Sequence, residues 1–323
     1  MTKIDIFSGF LGAGKTTLIK KMIQEAYAGQ KLVLIENEFG EIGIDGGFLQ
    51  DAGINITEMN SGCICCSLVG DFGKALTQVI QEYAPERIVI EPSGVGKLSD
   101  VVAAVQKVTN EEVTLGYTVA VADAGKVKVY MKNFGEFYNN QIETASTIIL
   151  SRTDAIPQAK LDAAVAMLRE HNADATIVVA PWSELSGAQL LEAMEGKATL
   201  AAALEELEHE HHHHDHEEGC CCGHHDHDHH HHADEVFTSW GVETTRKFTV
   251  AELEAALHSL DTGRFGVILR AKGIVACADG GWIHFDYVPE EHNIRMGSAS
   301  IIGKLCVIGA QLDEQGVAKL FGV

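Results

Sequence analysis

The chain has little positive charge and no long apolar run. It contains 24 Lys and Arg residues against 46 Asp and Glu residues, which gives a formal net charge of −22. Binding to nucleic acid depends on clustered Lys and Arg, so this balance argues against nucleic acid as the main partner. No apolar run reaches the roughly 18 residues that a membrane-spanning helix needs, which argues against a membrane protein.

The N-terminal sequence MTKIDIFSGFLGAGKTT also lacks the features of a signal peptide. It shows no basic segment followed by an apolar core and a small-residue cleavage site. We therefore expect a cytoplasmic protein. In that compartment thiols stay reduced, so clustered cysteines indicate metal binding or catalysis more strongly than they indicate disulfides.

Histidine and cysteine are scarce in the first 200 residues and concentrated just after them. No histidine occurs in the first 170 residues, and Cys63, Cys65 and Cys66 are the only cysteines before residue 200. Residues 205–235 then hold 13 of the 17 histidines, Cys220–Cys222, 11 Asp and Glu, and no Lys or Arg. Without apolar periodicity, this segment is predicted to be a disordered linker that chelates transition metals; a solvated spacer is the alternative.

Strand and helix patterns divide the rest of the chain into two domains. Over the first 180 or so residues, short Val- and Ile-rich segments alternate with amphipathic helices. This pattern predicts an α/β domain with a mostly parallel sheet that helices cover on both faces. After residue 236, mixed strands and helices predict a smaller α+β domain. The predicted domains are therefore residues 1–204 and 236–323, joined by the linker of 205–235.

A phosphate-binding loop is the strongest motif in the chain. The sequence GFLGAGKT fits the pattern G-x-x-x-x-G-K-[ST] and lies between a predicted strand and a predicted helix. Glycines let backbone N–H groups face a β-phosphate, the Lys ammonium reaches the β- and γ-phosphates, and the Thr hydroxyl binds Mg²⁺. The predicted nucleotide-binding residues of this loop are Gly9, Gly12, Ala13, Gly14, Lys15, Thr16 and Thr17.

Two further segments supply the other parts of a nucleotide-hydrolysing site. Glu91 follows a buried Ile-Val-Ile run and is predicted to hold the Mg²⁺ shell, while Gly94 is expected to bring its N–H to the γ-phosphate. Asp154 follows another buried strand, where its carboxylate is expected to accept from the paired N–H donors of guanine; a helix N-cap is the alternative. The predicted catalytic residues are Lys15, Thr16 and Glu91, and the predicted base-binding residues are Ser151, Arg152 and Asp154.

Together these segments resemble the CobW-type branch of the SIMIBI-class P-loop GTPases. The matching segments are GFLGAGKTT (9–17), ENEFGEIGID (36–45), NSGCICC (60–66), EPSG (91–94), SRTD (151–154), RAKGIV (270–275) and the C-terminal CVIGAQLDEQGVAKLF. The resemblance implies a GTPase that handles a divalent metal, as zinc and cobalt metallochaperones of that family do. One departure concerns residues 151–154, the segment predicted to bind the base and called the base loop below. The family usually has Asn-Lys-x-Asp at this place, and this chain has SRTD.

The three clustered cysteines are interpreted as part of a metal site. Zn²⁺ and Co²⁺ favour thiolate ligands, and the Cys-x-Cys spacing places two side chains on one side of an extended segment. Acidic groups are expected to complete the site, and Glu36 and Glu41 match ligand positions proposed within the family. A redox pair, a vicinal disulfide and buried structural cysteines are alternatives. The predicted metal ligands are Cys63, Cys65, Cys66, Glu36 and Glu41, with Thr16 as a ligand of Mg²⁺.

The sequence therefore predicts a slow GTPase that carries zinc or cobalt to a client protein or a cobalamin-pathway enzyme. GTP and Mg²⁺ are expected to order residues 36–45 and the EPSG segment, and hydrolysis is expected to release the metal. The alternatives are a metal buffer that acts through the linker and a nucleotide-dependent enzyme with structural cysteines. No role is assigned to His258, His284 and His292, and Cys277 and Cys306 are expected to be buried strand residues.

Overall fold

The chain divides into two units, Met1–Lys197 and Ala198–Val323. A computed structural model describes residues 1–36, 69–196 and 238–323. Several predicted features lie outside the described residues: residues 37–45 with Glu41, the cysteine cluster, the linker of 205–235 and a short strand that the sequence INITEM predicts at 54–59. The boundaries of that linker therefore remain a prediction.

Six parallel strands form the sheet of the first unit. They are β1 (Thr2–Gly9), β2 (Leu32–Glu36), β3 (Arg87–Glu91), β4 (Val113–Asp123), β5 (Thr147–Ser151) and β6 (Thr176–Val178). Their order is β2-β3-β1-β4-β5-β6, so the phosphate-loop strand β1 lies in the middle. Ile4 and Phe7 lie on opposite faces of β1 and are both fully buried, because the sheet is covered on both sides. The predicted fold class is confirmed.

Six helices accompany this sheet in the described residues. They are α1 (Lys15–Glu25), α2 (Val69–Tyr83), α3 (Leu98–Gln106), α4 (Val127–Thr144), α5 (Gln158–His171) and α6 (Gly187–Met194). Helix α1 packs on α6, while α2, α3, α4 and α5 pack on one another in succession. Helices α4 and α6 are not among the predicted elements. Of the helices in the described ranges, none has the length and apolar character to cross a membrane.

A buried ion pair joins the strands at the amino-terminal half of this sheet. The fully buried carboxylate of Asp5 accepts hydrogen bonds from the Arg87 guanidinium, from the Tyr27 hydroxyl at 3.1 Å and from the Tyr117 backbone N–H at 3.0 Å. Gly116 makes room for this carboxylate, since a Cβ atom there would lie 2.1 Å from Asp5 Oδ1. The several donors compensate the cost of burying the charge.

In the second unit the described residues, 238–323, form a mainly antiparallel sheet and two helices. Its elements are β7 (Thr238–Thr244), β8 (Lys247–Phe248), α7 (Val250–Leu260), β9 (Val267–Cys277), β10 (Trp282–Val288), β11 (Glu291–Gly297), β12 (Gly303–Ala310) and α8 (Glu314–Phe321). The strand order is β11-β10-β9-β12-β7, and β8 pairs in parallel with β9. Leu257 of α7 and Phe321 of α8 share a buried core with Phe285. Cys277 and Cys306 are buried free thiols in strands, as predicted.

Candidate nucleotide-binding site

The carboxyl ends of five parallel strands form the edge of the sheet at which the predicted site residues gather. Strands β1, β2, β3 and β5 end at Gly9, Glu36, Glu91 and Ser151, and β4 ends at Asp123. Glu36 pairs in register with Glu91, and Asp123 pairs in register with Ser151. Ligands of open parallel sheets bind at this edge, so the arrangement favours a binding site here.

The phosphate loop turns sharply between β1 and α1 because its glycines adopt conformations that other residues avoid. Gly9 has φ 147° and Gly14 has φ 103°, both in the region that favours glycine. A Cβ atom on Gly9 would lie 2.3 Å from the carbonyl oxygen of Val121, so a side chain is sterically excluded there. Gly14 stands at the N-cap of α1 and offers no side-chain acceptor. The first N–H groups of α1 are therefore suited to an anion.

Lys15, Thr16 and Glu91 converge beneath this loop. Lys15 is 9% exposed, and its Nζ lies 3.5 Å from the carbonyl oxygen of Phe10 and 4.0 Å from Glu91 Oε1. The Thr16 hydroxyl donates to the Glu91 carboxylate, with Oγ1 3.1 Å from Oε1 and 3.2 Å from Oε2. A hydroxyl and a carboxylate at one point form the oxygen donor set that Mg²⁺ prefers, so the residues present fit that ion.

Only part of the predicted transition-metal site lies within the described residues. Glu36 is half-buried at the end of β2, directly opposite Glu91 of β3. Cys63, Cys65, Cys66 and Glu41 lie outside the described ranges. Among the residues that the structure describes, no three His, Cys, Asp or Glu side chains are grouped to hold a metal ion. The thiolate site therefore stays a prediction.

The EPSG segment lies against the phosphate loop. A Cβ atom on Gly94 would lie 2.9 Å from the backbone nitrogen of Leu11, so glycine permits this close approach. Gln141 of α4 holds the segment from below: its Nε2 donates to the carbonyl oxygens of Gly94 at 3.1 Å and Gly96 at 2.8 Å. Gln141 is 1% exposed. Sequence reasoning missed this residue, because helix α4 itself was not predicted.

The base-loop segment is tied to the phosphate loop through Arg152. Its guanidinium donates to the carbonyl oxygen of Gly12 at 3.0 Å and also to the carboxylate of Asp123. Ser151 is buried and its Oγ lies 3.5 Å from the carbonyl oxygen of Ala122. Asp154 is exposed within a short 3₁₀ turn, Thr153–Ala155. Arg152 therefore connects two segments that are 140 residues apart in sequence.

Two sets of aromatic residues support the phosphate loop and were also missed from sequence. The indole Nε1 of Trp182 donates to the carbonyl oxygen of Leu150 at 2.9 Å, and its ring lies 3.1 Å from where a Cβ atom on Gly14 would stand. On the other side, the ring of Phe10 lies 4.6 Å from that of Tyr130 and 4.9 Å from that of Phe134, measured between centroids. Such contacts stabilise a loop that has few backbone hydrogen bonds of its own.

Comparison with known proteins identifies both units. Residues 3–179 match the family described as CobW/HypB/UreG, nucleotide-binding domain. Residues 237–322 match the cobalamin synthesis protein CobW C-terminal domain. The first match alone covers more than half of the chain.

Several curated proteins share part of this sequence. The zinc chaperone CobW of Sinorhizobium sp is 32% identical over 187 residues, which cover 49% of this chain and 52% of that protein. The zinc chaperone YeiR of Escherichia coli is 30% identical over 155 residues, covering 48% and 47%. The chain thus spans about half the length of the curated relatives it matches.

A solved structure of the Zn(II)-bound YjiA GTPase from Escherichia coli is similar along 99% of this chain and 98% of that chain, with 20% identity and a TM-score of 0.45. The family assignment rests on the two domain matches, which agree with the phosphate loop and the parallel sheet described above. The chain belongs to the CobW/HypB/UreG family of nucleotide-binding proteins.

Proposed function

We propose that this protein is a GTP-hydrolysing metallochaperone. It binds GTP at the carboxyl edge of the parallel sheet, binds Zn²⁺ or Co²⁺ through Cys63, Cys65 and Cys66, and delivers the metal to a client protein or cofactor pathway. The observation that carries the nucleotide part is the contact between Thr16 and Glu91 beside Lys15. The metal part is supported by the cysteine cluster and by relatives named as zinc chaperones.

The phosphate loop accounts for binding and hydrolysis of the triphosphate. The N–H groups at the start of α1 bind phosphate oxygens, and the Lys15 ammonium neutralises charge on the β- and γ-phosphates. Mg²⁺, when bound, stabilises the charge that develops on the transferred phosphoryl group. Thr16 and Glu91 would hold that ion, and the N–H of Gly94, whose carbonyl oxygen accepts from Gln141, would donate to the γ-phosphate.

The base loop accounts for the choice of nucleotide. Asp154 accepts from the paired N–H donors of guanine, an edge that adenine lacks. Ser151 offers a small hydroxyl that is turned toward the carbonyl oxygen of Ala122, so it adds little to base recognition. Arg152 keeps the base loop and the phosphate loop together. GTP is therefore preferred over ATP, with the discrimination resting on Asp154.

Glu36 links the nucleotide to the transferred metal. It belongs to the predicted ligand set, and it ends the strand next to that of Glu91. Glu91 would hold Mg²⁺ of the bound nucleotide, and Glu36 lies on the paired position of the neighbouring strand, so a change in the charge at Glu91 would act on Glu36. Binding of GTP and of the transferred metal is then coupled, and thermodynamic linkage requires the coupling to be equal in both directions.

Deletion of residues 209–232 separates this proposal from a metal buffer that works through the His-rich segment. The shortened chain should keep one high-affinity zinc site, which isothermal titration calorimetry measures. Replacing Cys65→Ala in that background should weaken the site strongly. The control Cys306→Ala removes a buried thiol of the second unit and should leave the affinity unchanged.

Loss of all high-affinity zinc binding on deletion of 209–232 would support the buffer instead. Retained affinity in the Cys65→Ala variant would remove the cysteine cluster from the site. Hydrolysis that prefers ATP, measured with both nucleotides on the full chain, would contradict the assignment as a GTPase.

A further inference from the structure

Two histidines that are isolated in sequence meet in the second unit. His258 lies in the last turn of α7, and His292 lies on β11 opposite Tyr287 of β10. Their ring centroids are 4.7 Å apart with an angle of 73° between the ring planes. His258 is exposed and His292 is half-buried, so solvent reaches the pair.

We propose that His258 and His292 form a second binding site for a divalent transition metal. This site is separate from the cysteine cluster and does not depend on the nucleotide. Both ligands are imidazoles, which suit Zn²⁺, Ni²⁺ and Cu²⁺. The pair lies in a different unit of the chain from the proposed GTPase site and offers imidazole instead of thiolate ligands.

The hydrogen bonding of His258 supports this role. Its Nδ1 lies 2.8 Å from the carbonyl oxygen of Glu254. A carbonyl oxygen only accepts, so Nδ1 must carry the proton and the neutral ring presents the lone pair of Nε2. Histidines that ligate metals are commonly fixed in this way, with one nitrogen donating to a carbonyl or carboxylate and the other facing the ion.

The separation of the two rings also fits a shared ion. With metal–nitrogen distances of about 2.1 Å and tetrahedral geometry, the centroids of two imidazole ligands lie about 5 Å apart. The observed 4.7 Å is close to that value. A tilted, near-perpendicular arrangement of the rings is compatible with two ligands that approach one ion from different elements.

The surroundings of the pair are acidic, which favours a cation. Asp261 caps the C-terminus of α7, three residues after His258. Its Oδ1 accepts from the Tyr287 hydroxyl at 2.6 Å and from the Glu290 N–H at 2.8 Å. These hydrogen bonds, with smaller contributions from His258 and His292, lower the pKa of Asp261. The carboxylate therefore stays charged at neutral pH beside the two rings.

Two imidazoles alone form a site that exchanges its metal. Since the described residues supply no third ligand in place, water completes the coordination sphere, and Asp261 acts through its charge. Such a site is weaker than a closed three- or four-ligand site. The site lies in residues 238–323, which follow the His-rich segment in sequence, and a site of this strength suits transient binding of zinc rather than storage.

Carbethoxylation of histidine by diethyl pyrocarbonate tests the site on the full chain. A chelator buffer fixes the concentration of free zinc, so zinc that binds to the His-rich segment does not change that concentration. Trypsin releases His258 on the peptide 248–264 and His292 on the peptide 273–295, which also carries His284 as an internal control. Mass spectrometry then reads the modification of each ring separately.

Zinc should lower the modification of His258 and His292 severalfold and leave that of His284 unchanged. In the His292→Ala variant, zinc should no longer protect His258, and in His258→Ala it should no longer protect His292. Equal modification of the pair with and without zinc would overturn the proposal. Protection of either ring that survives loss of the other would also overturn it, since the two rings would then not share an ion.

Discussion

The hydroxyl of Thr16 donates to the carboxylate of Glu91, with Thr16 Oγ1 3.1 Å from Oε1 and 3.2 Å from Oε2. The two residues come from segments that are 75 positions apart, one at the start of α1 and the other at the end of β3. Their contact joins the phosphate loop to the neighbouring strand. It also brings a hydroxyl and a carboxylate together, the oxygen donors that the proposed Mg²⁺ site requires.

Replacing Glu91→Gln should remove the charge that holds Mg²⁺ while keeping the shape of the side chain. GTP hydrolysis should fall by about 100-fold, in the range seen when one electrostatic contact to a transition state is lost. The Mg²⁺ concentration for half-maximal activity should rise. Phosphate release at several Mg²⁺ concentrations measures both quantities. The control Glu111→Gln lies before β4, at the other end of the sheet, and should behave as the wild type. Unchanged hydrolysis in Glu91→Gln would remove this residue from the site.

Replacing Arg152→Ala should weaken nucleotide binding. The phosphate loop then loses the donor to Gly12 O, and Asp123 loses a partner. Because Arg152 is half-exposed, we expect a loss of about 1 kcal/mol, or about fivefold in affinity for GDP. Arg152→Lys should recover part of it. Arg295→Ala, an equally exposed arginine paired with Asp286 in the second unit, is the matched control. An Arg152→Ala affinity equal to that of the control would contradict the bridging role.

Replacing Gln141→Ala should loosen the EPSG segment. The carbonyl oxygens of Gly94 and Gly96 lose their donor, so the N–H of Gly94 is no longer held toward the γ-phosphate. Hydrolysis should fall more than affinity for GDP, because GDP lacks the γ-phosphate. Single-turnover hydrolysis and GDP titration give the two values. Gln78→Ala on the exposed face of α2 serves as control. An equal loss for GDP and for hydrolysis would indicate a general structural defect instead.

Replacing Arg87→Met should destabilise the first unit by roughly 3–5 kcal/mol, because it leaves the buried Asp5 carboxylate without its cation. Urea unfolding of the variant and the wild type measures this difference. Adding Asp5→Asn to Arg87→Met removes the unpaired charge and should restore part of the stability. A double variant less stable than Arg87→Met alone would contradict this account of the pair.

The phosphate loop and the strand ends could be predicted from sequence because both are local. The spacing of Gly9, Gly14 and Lys15 determines a turn between a strand and a helix, and short apolar runs mark the buried parallel strands. Glu91 follows such a run, so its place at the carboxyl edge also follows from local pattern.

Helix α4 could not be predicted in the same way. Its backbone is non-helical at Phe134, next to Gly135, and this kink interrupts the 3.6-residue period by which a helix is identified. The role of Gln141 depends on contacts with a segment 45–47 residues away, which no local pattern reveals. Helix α6 (Gly187–Met194) was also missed; its N-terminus is set by a capping box at Ser186 and Gln189, and its buried face follows from its packing on α1.

The contact between His258 and His292 likewise could not be predicted from the sequence. The two residues are separated by strands β9 and β10, and the packing of α7 on β11 brings them together. Strand β11 was not predicted because the sequence EHNIRMG exposes most of its side chains at the edge of the sheet. Edge strands carry little of the apolar alternation on which strand prediction depends.

In the proposed mechanism, binding of nucleotide and binding of the transferred metal are coupled through the neighbouring strand ends of Glu36 and Glu91. The most direct test is the zinc affinity of the chain lacking 209–232, measured once with a non-hydrolysable GTP analogue and once with GDP, each with Mg²⁺. Coupling requires tighter zinc binding with the analogue than with GDP, and an equal gain in affinity for the analogue when zinc is bound. Equal zinc affinities in the two nucleotide states would contradict it.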